Sequence, residues 1–192
     1  MILASASPRR KEILENFGFS LNVVVKNIDE TSEETKIEDK IMDIANKKVM
    51  EVAKEHRDEN VVGSDTVVVV DNKILGKPKD KTEAYNMLKM LSGREHKVIT
   101  AFSYVNIGKK LFYKDYDTTK VFFKELSDEE IEWYIKTGEP FDKAGAYGIQ
   151  GKGAFLVLKI EGDFFNVMGF PLGKFVRFLN DAGVSLNEIE KI

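Results

Sequence analysis

The sequence predicts an α/β protein with a mixed, partly antiparallel sheet flanked by helices. Three observations lead there. Apolar residues recur at helical spacing in several segments, β-branched runs read as strands between them, and hairpin turns interrupt the strand–helix alternation. With 192 residues, 43% of them hydrophobic and 32% charged, the chain suits one domain over residues 1–192 with a proper core.

After a short apolar run at residues 1–4, the stretch SASPRRKEIL (5–14) opens the first helix. Ser7 is a good N-cap, and Pro8 fits the first helical position because its missing N–H would have no partner there. Ile13, Leu14 and Phe17 form the apolar stripe, and Gly18 ends it. Residues 21–25 read as a buried strand, followed by a polar segment, 27–36. Residues 37–56 are a long helix with Ile37, Ile41, Ile44, Ala45, Val49 and Val52 on one face. The β-branched run that begins at Asn60 is a strand, turned by Asp71-Asn72 into a short return strand, Lys73–Leu75.

Asp80 with Glu83 is a capping-box-like start for a helix to Leu91, stopped by Gly93. Residues 96–105 and 110–124 are longer strands around a turn at 106–109. Ser127 with Glu130 repeats the capping pattern for a helix carrying Ile131, Trp133, Tyr134 and Ile135. A glycine-rich loop, 145–153, leads into apolar runs at 155–160 and 164–167 on either side of a turn. A last helix follows Pro171 with Leu172, Phe175, Val176 and Leu179.

Composition excludes several classes of function. A net charge of −3 argues against nucleic-acid binding by an overall field, so any anion site is local. The absence of cysteine removes disulfides, thiolate nucleophiles and Cys-ligated zinc. His56 and His96 are far apart, which argues against a His-based metal site or a Ser-His-Asp triad. Apolar runs are too short to span a bilayer, and the first residues meet arginines at once instead of forming a secretory signal. The expected compartment is the cytoplasm.

The chemistry starts at the first helix. Arg9, Arg10 and Lys11 lie where the helix dipole is already positive, each at a cost of about 0.3–1 kcal/mol. Open N–H groups together with arginine forks suit an anion such as phosphate. Asp65 sits inside a strand whose neighbours all read as buried, where a carboxylate is costly unless paired or metal-bound. Lys48 falls within the apolar arc of its helix, and Pro78 restricts Lys77 to extended conformations. Asp29-Glu30 is an acidic pair that could help hold a divalent cation through hard oxygen ligands. The loop DKAGAYGIQGKG (142–153) permits close backbone approach, and Gln150 offers an amide able to pair with a base edge. Cations for phosphates, carboxylates for a hard metal and a loop for a base point to metal-assisted attack of water on a phosphoanhydride.

These residues carry a family pattern. Ser5-x-Ser7-Pro8-Arg9-Arg10, Gly63-Ser64-Asp65-Thr66-Val67-Val68, Gly76-Lys77-Pro78, Leu91-Ser92-Gly93 and Asp142-Lys143-Ala144-Gly145-Ala146-Tyr147-Gly148-Ile149-Gln150-Gly151 resemble the Maf family of nucleoside triphosphate pyrophosphatases, in order over nearly the whole chain. The resemblance implies a two-lobed mixed α/β fold like that of the inosine triphosphatases, with a cleft between the lobes. It implies a Mg²⁺ or Mn²⁺ cofactor and release of pyrophosphate from a nucleoside triphosphate, and it is compatible with a homodimer.

Carried over by motif, Asp65 resembles the family's catalytic acid, as proton acceptor or metal-bound carboxylate, with Glu30 as its metal-site partner. Arg10, Lys48 and Lys77 match phosphate-binding cations, and Ser5 and Ser7 match the loop around the triphosphate. Arg9, Thr66 and Gln150 match positions that separate subfamilies. Thr66 with Gln150 is similar to the subgroup acting on dTTP and UTP, whereas the 7-methyl-GTP subgroup typically has Gln in place of Thr66. The competing reading is a non-catalytic nucleotide-binding regulator of cell division. Intact Asp65, Glu30 and Lys77 favour the enzyme, because a pure sensor needs no water-activating carboxylate.

Overall fold

The structure, a computed structural model, describes residues 1–191. It contains a mixed sheet in the order β2-β1-β3-β5-β6-β7, with β4 paired to β3 outside that path. The strands are β1 (Ile2–Leu3), β2 (Asn22–Val23), β3 (Val61–Val70), β4 (Lys73–Leu75), β5 (Glu95–Asn106), β6 (Leu111–Phe123) and β7 (Val157–Glu161). β1 runs parallel to β2 and β3, aligning Ile2 with Asn22 and Val61, while β3/β4 and β6/β7 are antiparallel. The helices are α1 (Pro8–Phe17), α2 (Ile37–Ala53), α3 (Lys81–Leu91), α4 (Asp128–Lys136), α5 (Phe164–Met168) and α6 (Leu172–Asp181). The chain divides into two compact units, one of Met1–Asp65, Thr100–Asp117 and Gly169–Ile192, the other of Thr66–Ile99 and Thr118–Met168.

In the first unit, Ile2, Ala4, Val49, Val52, Ala53, Val61 and Val105 pack as one cluster, so the apolar face of α2 lies on the parallel strands. A second set of contacts is aromatic. Phe175 of α6 meets Phe102 at 5.7 Å and Phe170 at 5.2 Å edge-on, geometry that favours the ring quadrupoles. α1 ends in a Schellman turn: Gly18 takes φ +111°, its N–H reaches the Glu15 carbonyl, and the Phe19 N–H reaches that of Leu14.

The second unit builds its core from Val68, Leu75, Leu88, Leu91, Val121, Ile131, Tyr134 and Tyr147, among others. α4 carries a complete capping box, with Ser127 Oγ accepting from Glu130 N–H at 3.2 Å and Glu130 Oε2 accepting from Ser127 N–H at 3.0 Å. α3 has half of one. Asp80 Oδ1 accepts from Glu83 N–H, but the Glu83 carboxylate reaches back one residue further, to Lys79 N–H.

Two expectations change. The segment read as a buried strand at 21–25 pairs only through Asn22 and Val23, both exposed, because β2 lies at the end of the sheet order. α2 stops at Ala53, not at residue 56. The apolar run at 164–167 is helical, as α5. Asp163 Oδ1 accepts from Phe165 N–H there, and a four- to five-residue apolar run does not by itself distinguish strand from helix.

Candidate active site

The first unit brings six of the residues singled out by sequence into one group of two hydrogen-bonded halves, coupled by the charges of Arg10 and Asp65. α1 follows β1 after a four-residue connection, and its N-cap, Ser7, makes no side-chain capping bond. Ser5 is buried, and its Oγ accepts from Ser7 N–H at 3.3 Å and from Arg10 Nη1 at 3.0 Å. Arg10 Nε donates to the Gly169 carbonyl at 3.0 Å, and the buried Ser64 hydroxyl donates to the same oxygen at 2.8 Å. One carbonyl has two lone pairs, and here each has a donor. The arginine is thereby fixed along two directions before any ligand arrives.

Burial draws the Arg10 pKa below its ordinary value, an effect opposed by the negative charge of Asp65 and strengthened by the neighbouring Arg9; Glu30 also opposes it. Arg9 shares the same first turn, about 100° round the helix from Arg10.

Lys48 and Asp65 form the second half of the group. Lys48 Nζ lies 2.8 Å from Asp65 Oδ1 and 3.0 Å from Glu30 Oε1. The Lys48 and Asp65 side chains are 17% and 15% exposed, while Glu30 is 61% exposed, so only the lysine–Asp65 half is shielded from solvent screening. The adjacent Lys47 bonds the Thr31 carbonyl at 2.8 Å, so two consecutive lysines of α2 hold the segment that carries Glu30. Asp29 does a different job from Glu30. Its carboxylate accepts from Thr31 N–H and Oγ1, which is turn chemistry.

The remaining residues belong to the second unit. Thr66 is half-buried in β3, and Lys77 is exposed in the connection after β4. Gly145 N–H donates to the Gly76 carbonyl at 3.0 Å, tying the glycine-rich loop to the Lys77 turn. Gln150, half-buried, precedes a 3₁₀ turn at Gly151–Leu156.

Sequence reasoning missed Ser64 and Gly169. Ser64 had a signal, as a hydroxyl in a buried apolar run beside Asp65. Gly169 had none, since it acts through its backbone carbonyl.

A divalent cation fits the donor set. Asp65 and Glu30 present carboxylate oxygens to one shared cation, the Lys48 ammonium, and hard oxygen donors of this kind suit Mg²⁺ or Mn²⁺. No group of three or more His, Cys, Asp or Glu residues gathers into a metal cage among the described residues.

A mixed α/β sheet with a pre-oriented arginine and a lysine-bridged carboxylate pair suits phosphate-ester or phosphoanhydride chemistry. The chain belongs to the Maf-like protein family, whose model matches residues 1–182. It is 49% identical over 192 residues to the dTTP/UTP pyrophosphatase of Fusobacterium nucleatum, covering 100% of both chains. It is 53% identical over 175 residues to that of Clostridioides difficile, covering 91% of this chain and 90% of the other. Among solved structures, a dITP/XTP pyrophosphatase from Mycobacterium abscessus aligns with a TM-score of 0.45 at 15% identity, covering 98% of this chain and 96% of that one. No helix among the described residues is long and apolar enough to cross a membrane.

Proposed function

We infer that the chain is a nucleoside triphosphate pyrophosphatase that hydrolyses dTTP and UTP to the monophosphate and pyrophosphate. Relatives at about half identity over nearly the whole chain carry that activity in their names. The geometric observation that carries the reading is the Lys48 ammonium held between Asp65 and Glu30.

In this reading Asp65 takes a proton from water as the water oxygen bonds to the α-phosphorus, and the bond to the α–β bridging oxygen breaks to release pyrophosphate. Asp65 and Glu30 are the residues that would hold the divalent cation. When bound, Mg²⁺ or Mn²⁺ would polarise the α-phosphate and lower the pKa of the attacking water. Lys48 keeps the Asp65 carboxylate oriented through their 2.8 Å contact. Arg10 neutralises charge developing on the leaving pyrophosphate from a position set by Ser5 and Gly169. The first-turn cations of α1 are unfavourable without a ligand, and a triphosphate converts that repulsion into binding. Ser5, Ser7, Lys48 and Lys77 complete the phosphate contacts, and Arg9, Thr66 and Gln150 select the base. The same reading puts the protein in the cytoplasm and is compatible with a homodimer.

The test is pyrophosphate release from a panel of nucleoside triphosphates with Mg²⁺ or Mn²⁺, comparing wild type with Asp65→Asn. Turnover of dTTP and UTP that falls by about 10²–10⁴ in the variant is the expected result. Tight metal-dependent binding with no release from any triphosphate would leave a nucleotide-binding regulator instead.

A further inference from the structure

The backbone on both sides of Gln150 is tied to a single pair of side chains. Glu139 opens the 3₁₀ turn Glu139–Asp142. Its Oε1 accepts from Lys152 N–H at 3.1 Å and its Oε2 from Gly153 N–H at 3.2 Å. The same side chain is hydrogen-bonded to the Tyr134 hydroxyl, and that hydroxyl accepts from Gly148 N–H at 3.1 Å. Tyr134 is fully buried in the core of its unit, so it cannot follow a moving loop. Glu139 is itself anchored, its N–H by Thr137 Oγ1 at 3.2 Å and its carbonyl by Lys143 Nζ at 2.6 Å. The amides of Gly148, before Gln150, and of Lys152 and Gly153, after it, therefore converge on one phenol–carboxylate pair.

We propose that Glu139, with Tyr134, is a positioning residue for base selection, holding the segment that presents Gln150; the proposal rests on the base-reading role given to Gln150 above. A side-chain amide discriminates between bases only if its donor and acceptor are held to within a few tenths of an ångström, and the loop's glycines do not hold it by themselves. A carboxylate suits this task, because it offers an acceptor oxygen to each of two amides and accepts from the phenol as well. Glutamine keeps the size but has one acceptor oxygen, and its NH₂ would face an amide N–H.

The experiment measures kcat and KM for dTTP, UTP, dCTP and dATP with the full chain and Mn²⁺. The proteins are wild type, Glu139→Gln, Tyr134→Phe, Gln150→Ala and the Glu139→Gln/Gln150→Ala double variant, each checked by thermal melting. In Glu139→Gln the preference for dTTP over dATP is expected to fall about tenfold, mainly through KM, with Tyr134→Phe losing about threefold. The double variant is expected to be no less selective than Gln150→Ala, because Glu139 acts through that residue. Unchanged preference in Glu139→Gln and Tyr134→Phe, where Gln150→Ala loses it, overturns the proposal alone. So does a double variant in which the two losses multiply. If Gln150→Ala itself keeps the wild-type preference, the base-reading role fails and the proposal falls with it. Tyr134→Phe keeps the ring in the core, so it decides the matter even if Glu139→Gln does not fold.

Discussion

Arg10 Nε donates to the carbonyl of Gly169, 159 residues further along the chain, at 3.0 Å. With the bond from Nη1 to Ser5 Oγ, this divides the guanidinium's role between two orienting bonds and its charge.

Arg10→Lys tests that division. Lysine keeps the charge but has no planar fork with which to hold both acceptors at their separate positions. KM for the triphosphate is expected to rise about tenfold, with a smaller change in kcat. Unchanged KM in steady-state pyrophosphate release would mean that charge alone matters at this position.

Lys48→Met removes the cation shared by Asp65 and Glu30 while keeping most of the side chain's bulk. The two carboxylates are then left with like charges and a vacated position between them. Turnover should drop severely, yet Mn²⁺ measured alone by electron paramagnetic resonance should bind about fivefold more tightly. Weaker Mn²⁺ binding would show that the lysine does not occupy a cation position.

His96 makes stability depend on pH. Its ring is buried, with Nε2 2.7 Å from the Tyr147 hydroxyl, edge contacts to Phe123 and Tyr147, and no hydrogen-bond partner for Nδ1. Burial lowers its pKa from 6.5 to about 4. Between those values the unfolded chain binds the proton and the folded chain does not, so stability rises with pH. The contribution is complete above about 6.5 and is lost as pH falls toward 4, on the order of 3 kcal/mol in all. Urea unfolding at pH 7 and pH 4.5 should show a steeper loss for wild type than for His96→Phe. Parallel losses would place the proton uptake elsewhere.

Gly145→Ala should be costly. Gly145 takes φ +66°, and a Cβ there would lie 2.8 Å from Val68 Cγ2, so the substitution adds strain to overlap. A loss of about 2–3 kcal/mol is expected from the urea midpoint. A wild-type midpoint would mean that the loop shifts without penalty.

Much of this was legible from local pattern. Asp65 stood out because a carboxylate interrupts a β-branched run, and Lys48 because it falls within the apolar arc of α2. Their 2.8 Å contact was not legible, since neither periodicity reports on how far a helix lies from a strand. The same holds for Gly169, whose contribution is a carbonyl, and for Glu139, whose partners are backbone amides. Side-chain chemistry is written in the residue letters, whereas backbone donors and acceptors become selective only after folding. The type of α5 was not legible either: Phe164 and Phe165 make an apolar run too short to assign, and both are partly exposed on a short helix.

The strand order also bears on how copies of this chain can associate. The sheet's outer strands are β2, two residues long, and β7, where Lys159 pairs with Glu161 at 2.9 Å and lies 4.2 Å from the Phe122 ring centroid. The first rim, like the three-residue β4 outside the main path, is too short to template a further strand, and the other is guarded by charge, the two devices that block edge-to-edge growth. Two copies would therefore meet through their side chains and not by prolonging one sheet into the next. Among the described residues, no long, uncharged rim is left from which a fibre would start.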